Sequence, residues 1–143
     1  MSFIKNIVFV YLISFSMFSF GTEFPTGDYK GIGFIVEKGS MKMTEADMSK
    51  HESQLTVTKK GESKVAFKIS VKMQRYLNTP IQSDSRYDVY NIKWDGENSG
   101  LLINNNKKYS GDKSIFVIDG RKLIVKSWIS RHQLFETHIY EKQ

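Results

Sequence analysis

The chain has 143 residues, two prolines, no cysteine and a formal net charge of +6, which is room for one domain and too little for two. Without cysteine there is no disulfide framework, no Cys-based zinc or iron–sulfur site and no thiol nucleophile. Multidomain machinery and thiol chemistry are excluded together.

The first element is a leader. Lys5 precedes an uncharged run, Ile7 to Phe20, rich in Phe, Ile and Val, and Ser19 and Gly21 place small residues two apart, as signal peptidase requires at its −3 and −1 subsites. The expectation is a signal peptide over residues 1–21, cut after Gly21, and a single domain over 22–143. The uncharged run has 14 residues, short of the roughly 20 that an uncleaved helical anchor needs. Lys5 is the only charged residue before residue 22, so processing takes the net charge from +6 to +5. The expected location is secreted or periplasmic, for a domain that folds on strand pairing and its apolar core alone.

After a link containing Pro25, Gly27 to Val36 reads as a first strand. Gly27, Tyr29, Gly31 and Gly33 fall on one face at period two, leaving one ring and little other bulk, as a strand that coils sharply to close a barrel requires. Residues 39–52 lack alternation and predict a helical turn with Thr44 as N-cap and Asp47 at N3. Met41, Met43 and Met48 would form a soft lid or pack on the core edge there.

From Gln54 onward, short alternating segments separated by turns point to an antiparallel sandwich or barrel. Gln54 to Lys59 alternates about Leu55 and Val57. After the turn Lys60-Gly61-Glu62-Ser63, Val65, Phe67, Ile69, Val71 and Met73 alternate with Ala66, Lys68, Ser70, Lys72 and Gln74, a pattern no helix fits. Residues 77–85 read as a connection, and Arg86 to Asp95 as a strand carrying Tyr87, Tyr90, Ile92 and Trp94 with its inward parity open. Asp95 to Gly100 is a turn. Strands are expected at Leu101–Asn104, Ser114–Asp119, Lys122–Ser130 and Leu134–Glu141. Asp119-Gly120 signals a type I′ hairpin, and Ser130–Gln133 a further turn. The predicted architecture is all-β, a single antiparallel up-and-down barrel of seven or eight strands, closed so that no long edge is left exposed.

Chemistry is sparse. Arg131, His132, Glu136 and His138 lie within eight residues, and Glu136 and His138 share a strand face, where a carboxylate and an imidazole can bind a metal or exchange a proton. The histidines lack a standard ligand spacing, and His51 is remote in sequence, so the default is a solvated strand end. No nucleophile elbow, phosphate loop or His-Glu-x-x-His motif occurs. The expectation is a non-enzyme with no catalytic residue, no metal and no cofactor. The basic doublets Lys59-Lys60, Lys107-Lys108 and Arg121-Lys122 sit near turns, and no nucleic-acid partner is expected.

The opening strand Gly27-Asp28-Tyr29-Lys30-Gly31-Ile32-Gly33, followed by a meander of some seven strands, resembles the calycin group of lipocalin-like small barrels, with Tyr29 where lipocalins usually carry Trp. The resemblance implies a small apolar or amphipathic ligand held inside the barrel. It makes Tyr29, Phe67, Ile69, Val71, Tyr90, Trp94 and Trp128 the candidate lining; the bland alternative is that the same residues fill the core. Two rival functions follow from the pattern itself. One is an envelope interaction protein or inhibitor that uses its turn-rich rim. The other is a small outer-membrane barrel with Val65, Phe67, Ile69, Val71 and Met73 facing lipid and Lys68, Ser70 and Lys72 inside.

Overall fold

The computed structural model describes residues 23–143; the expected leader over 1–21 and its cleavage point lie outside them. Nine strands run in chain order: β1 (Gly27–Lys38), β2 (Met41–Thr44), β3 (Lys50–Gly61), β4 (Lys64–Gln74), β5 (Gln82–Trp94), β6 (Ser99–Asn104), β7 (Lys113–Asp119), β8 (Lys122–Ile129) and β9 (Leu134–Lys142). β1 and β3 to β9 pair with their neighbours in order, and β9 returns to β1, so eight antiparallel strands close into a barrel. The up-and-down barrel read from the alternation is borne out, with β2 added as a short extra strand on the far end of β1.

β4 shows why the pattern works. Val65 and Phe67 are buried, while Lys68, on the opposite face, is exposed. Inward placement of Val65, Phe67, Ile69, Val71 and Met73 reverses the outer-membrane arrangement, because the side chains that would have to meet lipid point into the barrel and the lysines point out. Among the described residues no helix is long and apolar enough to cross a membrane.

β1 departs from simple alternation. Its pairing with β9 shifts between Gly31 and Gly33, a bulge that changes phase at Ile32. Gly33 therefore leaves the face of Gly27, Tyr29 and Gly31, and lies against the Ile139 side chain. Phe34 becomes a buried inward residue instead. Gly31 keeps its expected face, and there the close approach is real: a methyl group on it would collide with the Ser53 hydroxyl.

The predicted turn in residues 39–52 is present as a single 3-10 turn, Glu45–Asp47, with Thr44 as N-cap. The Thr44 amide donates to Asp47 Oδ2 at 2.8 Å. At the β7–β8 hairpin Asp119 faces Lys122 across a two-residue loop. Gly120 has a φ of 60° but Arg121 stays outside the left-handed region; a type I′ turn needs both central residues there, so the expected type is corrected while the hairpin stands.

The core occupies one end of the barrel. Phe24, in the segment before β1, folds back over that end and meets Phe116 at 5.0 Å, Phe67 at 5.8 Å and Trp94 at 6.3 Å between ring centroids. The Tyr29 hydroxyl donates to the Pro25 carbonyl at 2.9 Å and ties this plug down. Leu55, Val57, Leu123 and Tyr140 complete a packed apolar end, hereafter the closed end.

Candidate functional site

The other end is built differently. Strand register decides which side chains enter it: β4 pairs with β5 so that Ile69 faces Arg86 and Phe67 faces Asp88, and β8 pairs with β9 so that Val125 faces His138 and Ser127 faces Glu136. Every second residue of these strands points inward. Following the alternation toward the open end, the inward set of β5 and β9 changes from apolar to polar, while that of β4 stays apolar.

The result is a cavity of about 240 Å³ with two unlike walls. Phe67, Ile69, Val71 and Met73 make an apolar wall along β4, and Leu102 of β6 and Val125 and Ile129 of β8 add apolar surface elsewhere in the lining. Asp84, Arg86, Asp88 and Tyr90 of β5, with Asn104, Glu136, His138 and Tyr140, make the polar side. A second cleft, of about 480 Å³, shares Met73 with the cavity and reaches the rim between Met43, Met48 and Tyr76. Two of the three methionines expected at a barrel end are thus there, whereas Met41 is exposed.

The charged groups are mostly paired. Arg86 Nε contacts Asp88 Oδ2, and the Asn104 side chain donates to Asp88 Oδ1 at 3.1 Å. The Arg86 guanidinium also lies 4.5 Å from the centroid of Tyr109, in a 3-10 turn (Lys107–Tyr109) at the rim. Asp88 is buried; the Asn104 amide satisfies Oδ1, while Oδ2 has no hydrogen-bond partner and is held by the charge of the adjacent guanidinium, so removing Arg86 leaves a buried, unpaired carboxylate. Glu136 and His138 approach to 3.4 Å. The hydrogen bond to His138 holds the Glu136 carboxyl below the usual carboxylate range, against the opposing effect of burial. Burial raises the Tyr90 and Tyr140 phenols, which stay protonated.

His51, remote in sequence, is brought to this site. Its ring stacks on Phe34 at 4.5 Å, and Phe34 contacts His138 at 4.9 Å on its other side. The pair escaped the sequence reading because β3 begins at Lys50, four residues before the alternation becomes visible. His132 lies on the β8–β9 turn, its amide donating to the Ile129 carbonyl. Among the described residues no group of three or more His, Cys, Asp or Glu side chains is placed to share a metal ion.

The candidate lining separates into three groups. Phe67, Ile69, Val71 and Tyr90 line the cavity. Tyr29 and Trp94 belong to the packed closed end. Trp128 is on the outer surface: it pairs with Lys113 and Phe135, and its ring meets that of Phe135 at 4.8 Å. The correction has a simple cause. Leu123, Ile124, Val125, Trp128 and Ile129 make β8 apolar on both faces, so alternation does not choose between them, and Ser127 takes the inward place. Arg86, Asp88 and Asn104 were missed because a polar residue in an alternating strand is read as outward.

His51 gives a testable pH dependence. Its Nε2 is buried without a hydrogen-bond partner, and its pKa is held below the ordinary 6.5, first by burial and then by the charge of His138, against a smaller pull from Glu45. The unfolded chain therefore takes up the proton first as pH falls. Stability present above pH 6.5 is lost below it, until the lower folded-state pKa is passed. Glu136 adds a separate loss at lower pH, as its depressed carboxyl finally protonates. His51→Phe retains the stack on Phe34 and removes the unpaired nitrogen. Thermal melts between about pH 7.5 and 5 are expected to show a flatter profile for the variant, with stability at neutral pH raised by on the order of 1 kcal/mol; an unchanged slope would assign the acid sensitivity elsewhere.

No protein-family model matches the sequence, and no curated protein matches it significantly. Among solved structures, an S-type phycobiliprotein lyase from Guillardia theta aligns over 82% of this chain and 88% of its own, with a TM-score of 0.47 and 7% identity. At that score and identity nothing about ligand or activity follows for this chain.

Proposed function

We propose that this chain is an exported, lipocalin-like binding protein that holds one small amphipathic molecule in the open half of its barrel, and that it is not an enzyme. The observation that carries the reading is the two-walled cavity of about 240 Å³, apolar along β4 and polar along β5 and β9. At about 30 Å³ per water, that space corresponds to roughly eight waters, which fits a compact ligand with one apolar and one polar side. An apolar wall alone would take a hydrocarbon, and a polar wall alone would fill with water. The polar wall supports holding over turnover, because most of its polar groups are engaged with one another, Arg86 with Asp88 and Glu136 with His138. The cleft beyond Met73 gives a route to the rim.

Native mass spectrometry of protein purified from its own host is expected to show an added mass that is released on denaturation. Ile69→Trp, which fills the apolar wall, is expected to abolish the adduct while leaving the β-sheet circular dichroism unchanged. An adduct retained by the filled variant, or none in the natural protein, would overturn the reading.

A further inference from the structure

The outer surface of the barrel is as two-sided as its interior. Outward positions of β3 and β4 are polar and of mixed charge, among them Glu52, Gln54, Thr56, Lys68 and Lys72. Across β6 to β9 the outward positions turn apolar: Leu101, Ile103, Ile115, Val117 and Phe135 are exposed between 36% and 50%, and Trp128 lies against Phe135. Strand register joins them, since Leu101 pairs with Ile115, Ile115 with Lys126, and Lys113 with Trp128, which pairs in turn with Phe135. Scattered exposed apolar residues need no explanation; a contiguous sheet face of them does.

Most of the charge around this face is positive. Lys113 and Lys126 project from it, and Lys107, Lys108 and Arg131 stand on the two loops at its open-end border. Asp112, the acid in those loops, is turned away and accepts from the Ser130 amide and hydroxyl at 3.0 Å. Acidic side chains stand at the opposite border, where Asp119 and Glu141 flank Lys122 and Asp95 and Glu97 lie on the β5–β6 loop, and Glu37 of β1 pairs with Phe135. Residues 22–143 carry 20 basic and 15 acidic side chains, a net +5, and five of the basic ones lie on or beside this face. The Lys126 ammonium lies 5.0 Å from the Phe135 ring centroid, which sets a cation directly beside the aromatic pair of this face.

We propose that the outer face of β6 to β9 docks on an anionic lipid surface, with Trp128 and Phe135 entering the headgroup region and the five cations engaging its charge. Tryptophan beside lysine is the pairing favoured at that depth, and each cation near an anionic leaflet is worth roughly a fivefold gain in partitioning. A second copy of the chain is disfavoured as the occupant, because face-to-face contact would bring together two sets of like charges. The contact is peripheral: the polar outer face of β3 and β4 stays in water.

The test uses the purified protein with sedimentable vesicles of phosphatidylcholine, with and without about one third phosphatidylglycerol. Binding is expected to favour the anionic vesicles by at least about 20-fold at low salt and to weaken as salt rises. The double charge reversal K113E/K126E is expected to lower it by at least about 25-fold, with the barrel's circular dichroism unchanged because both side chains are on the surface. The chain has two tryptophans, and Trp94 packs at the closed end, so a blue shift on vesicle binding reports Trp128 and should vanish in Trp128→Phe. Equal binding to neutral vesicles, no effect of charge reversal, or equally tight binding to a DNA duplex would overturn the proposal. So would a dimer in sedimentation equilibrium that Trp128→Glu dissociates, which would give the face to a second copy.

Discussion

Phe116→Ala is expected to cost about 3–5 kcal/mol, measured as a lower denaturation midpoint followed through Trp94 fluorescence. The ring is 1% exposed and is the piece against which the closed end assembles: Phe24 meets it at 5.0 Å and Trp94 at 5.1 Å, both edge to face. Truncation removes the transfer energy of the ring and two aromatic contacts, and leaves a void that strands β5 to β8, fixed by their ladders, do not collapse to fill. Domains of this size hold about 5–15 kcal/mol in total, so the loss takes a large share of what keeps the barrel closed. Val71→Ala is the internal control. Val71 faces the cavity and is only partly buried, so its truncation enlarges an existing space and is expected to cost less than about 1 kcal/mol. Comparable losses at the two sites would mean that the two ends of the barrel are packed alike.

The contrast between the ends also marks how far the residues alone could be read. Where apolar and polar side chains alternate cleanly, as along β4, strand, facing and burial all follow from period two, because a one-residue slip would move the whole apolar set to the solvent side. Three kinds of residue defeat that rule. The bulge after Gly31 changes phase within β1, so Phe34 faces inward where alternation would place Gly33. β8 is apolar on both faces, which sent Trp128 to the wrong side. The inward Arg86 and Asp88 violate the expectation that charge faces water, and do so stably because each neutralises the other across adjacent inward positions of one strand. That violation makes the polar wall of the cavity. The candidate site was therefore legible in part: Phe67, Ile69 and Val71 of the apolar wall, Tyr90, and the shared face of Glu136 and His138 could be read, while Arg86, Asp88 and Asn104 could not. Phe24 was out of reach for another reason, since a single aromatic residue in a strandless link shows its burial only after the barrel exists to receive it.

Gly100→Ala is expected to destabilise the fold by about 3 kcal/mol or more, the upper part of the range for overpacking, although the change adds one methyl group. Gly100 stands between Trp94 of β5 and Phe116 of β7 in one cross-strand row. Because the middle position has no side chain, the flanking rings meet over β6 with centroids 5.1 Å apart and planes at 85°. A Cβ there would collide with the Lys93 backbone carbonyl and sit 3.0 Å from both Phe116 Cε1 and Trp94 Cα. Two of those three atoms are backbone and have no rotamer to escape into, so the β5–β6 hairpin itself must move. Gly31 offers the useful comparison, since the first atom an added methyl would meet there is the Ser53 hydroxyl. Gly31→Ala should therefore be substantially rescued by Ser53→Ala, whereas trimming Phe116 to Leu in the Gly100→Ala background should recover little. A coupling of well over 1 kcal/mol in the first double-mutant cycle and a small one in the second would separate side-chain crowding from backbone collision. Full rescue of Gly100→Ala by the smaller side chain would show that the ring, and not the carbonyl of Lys93, demands the glycine.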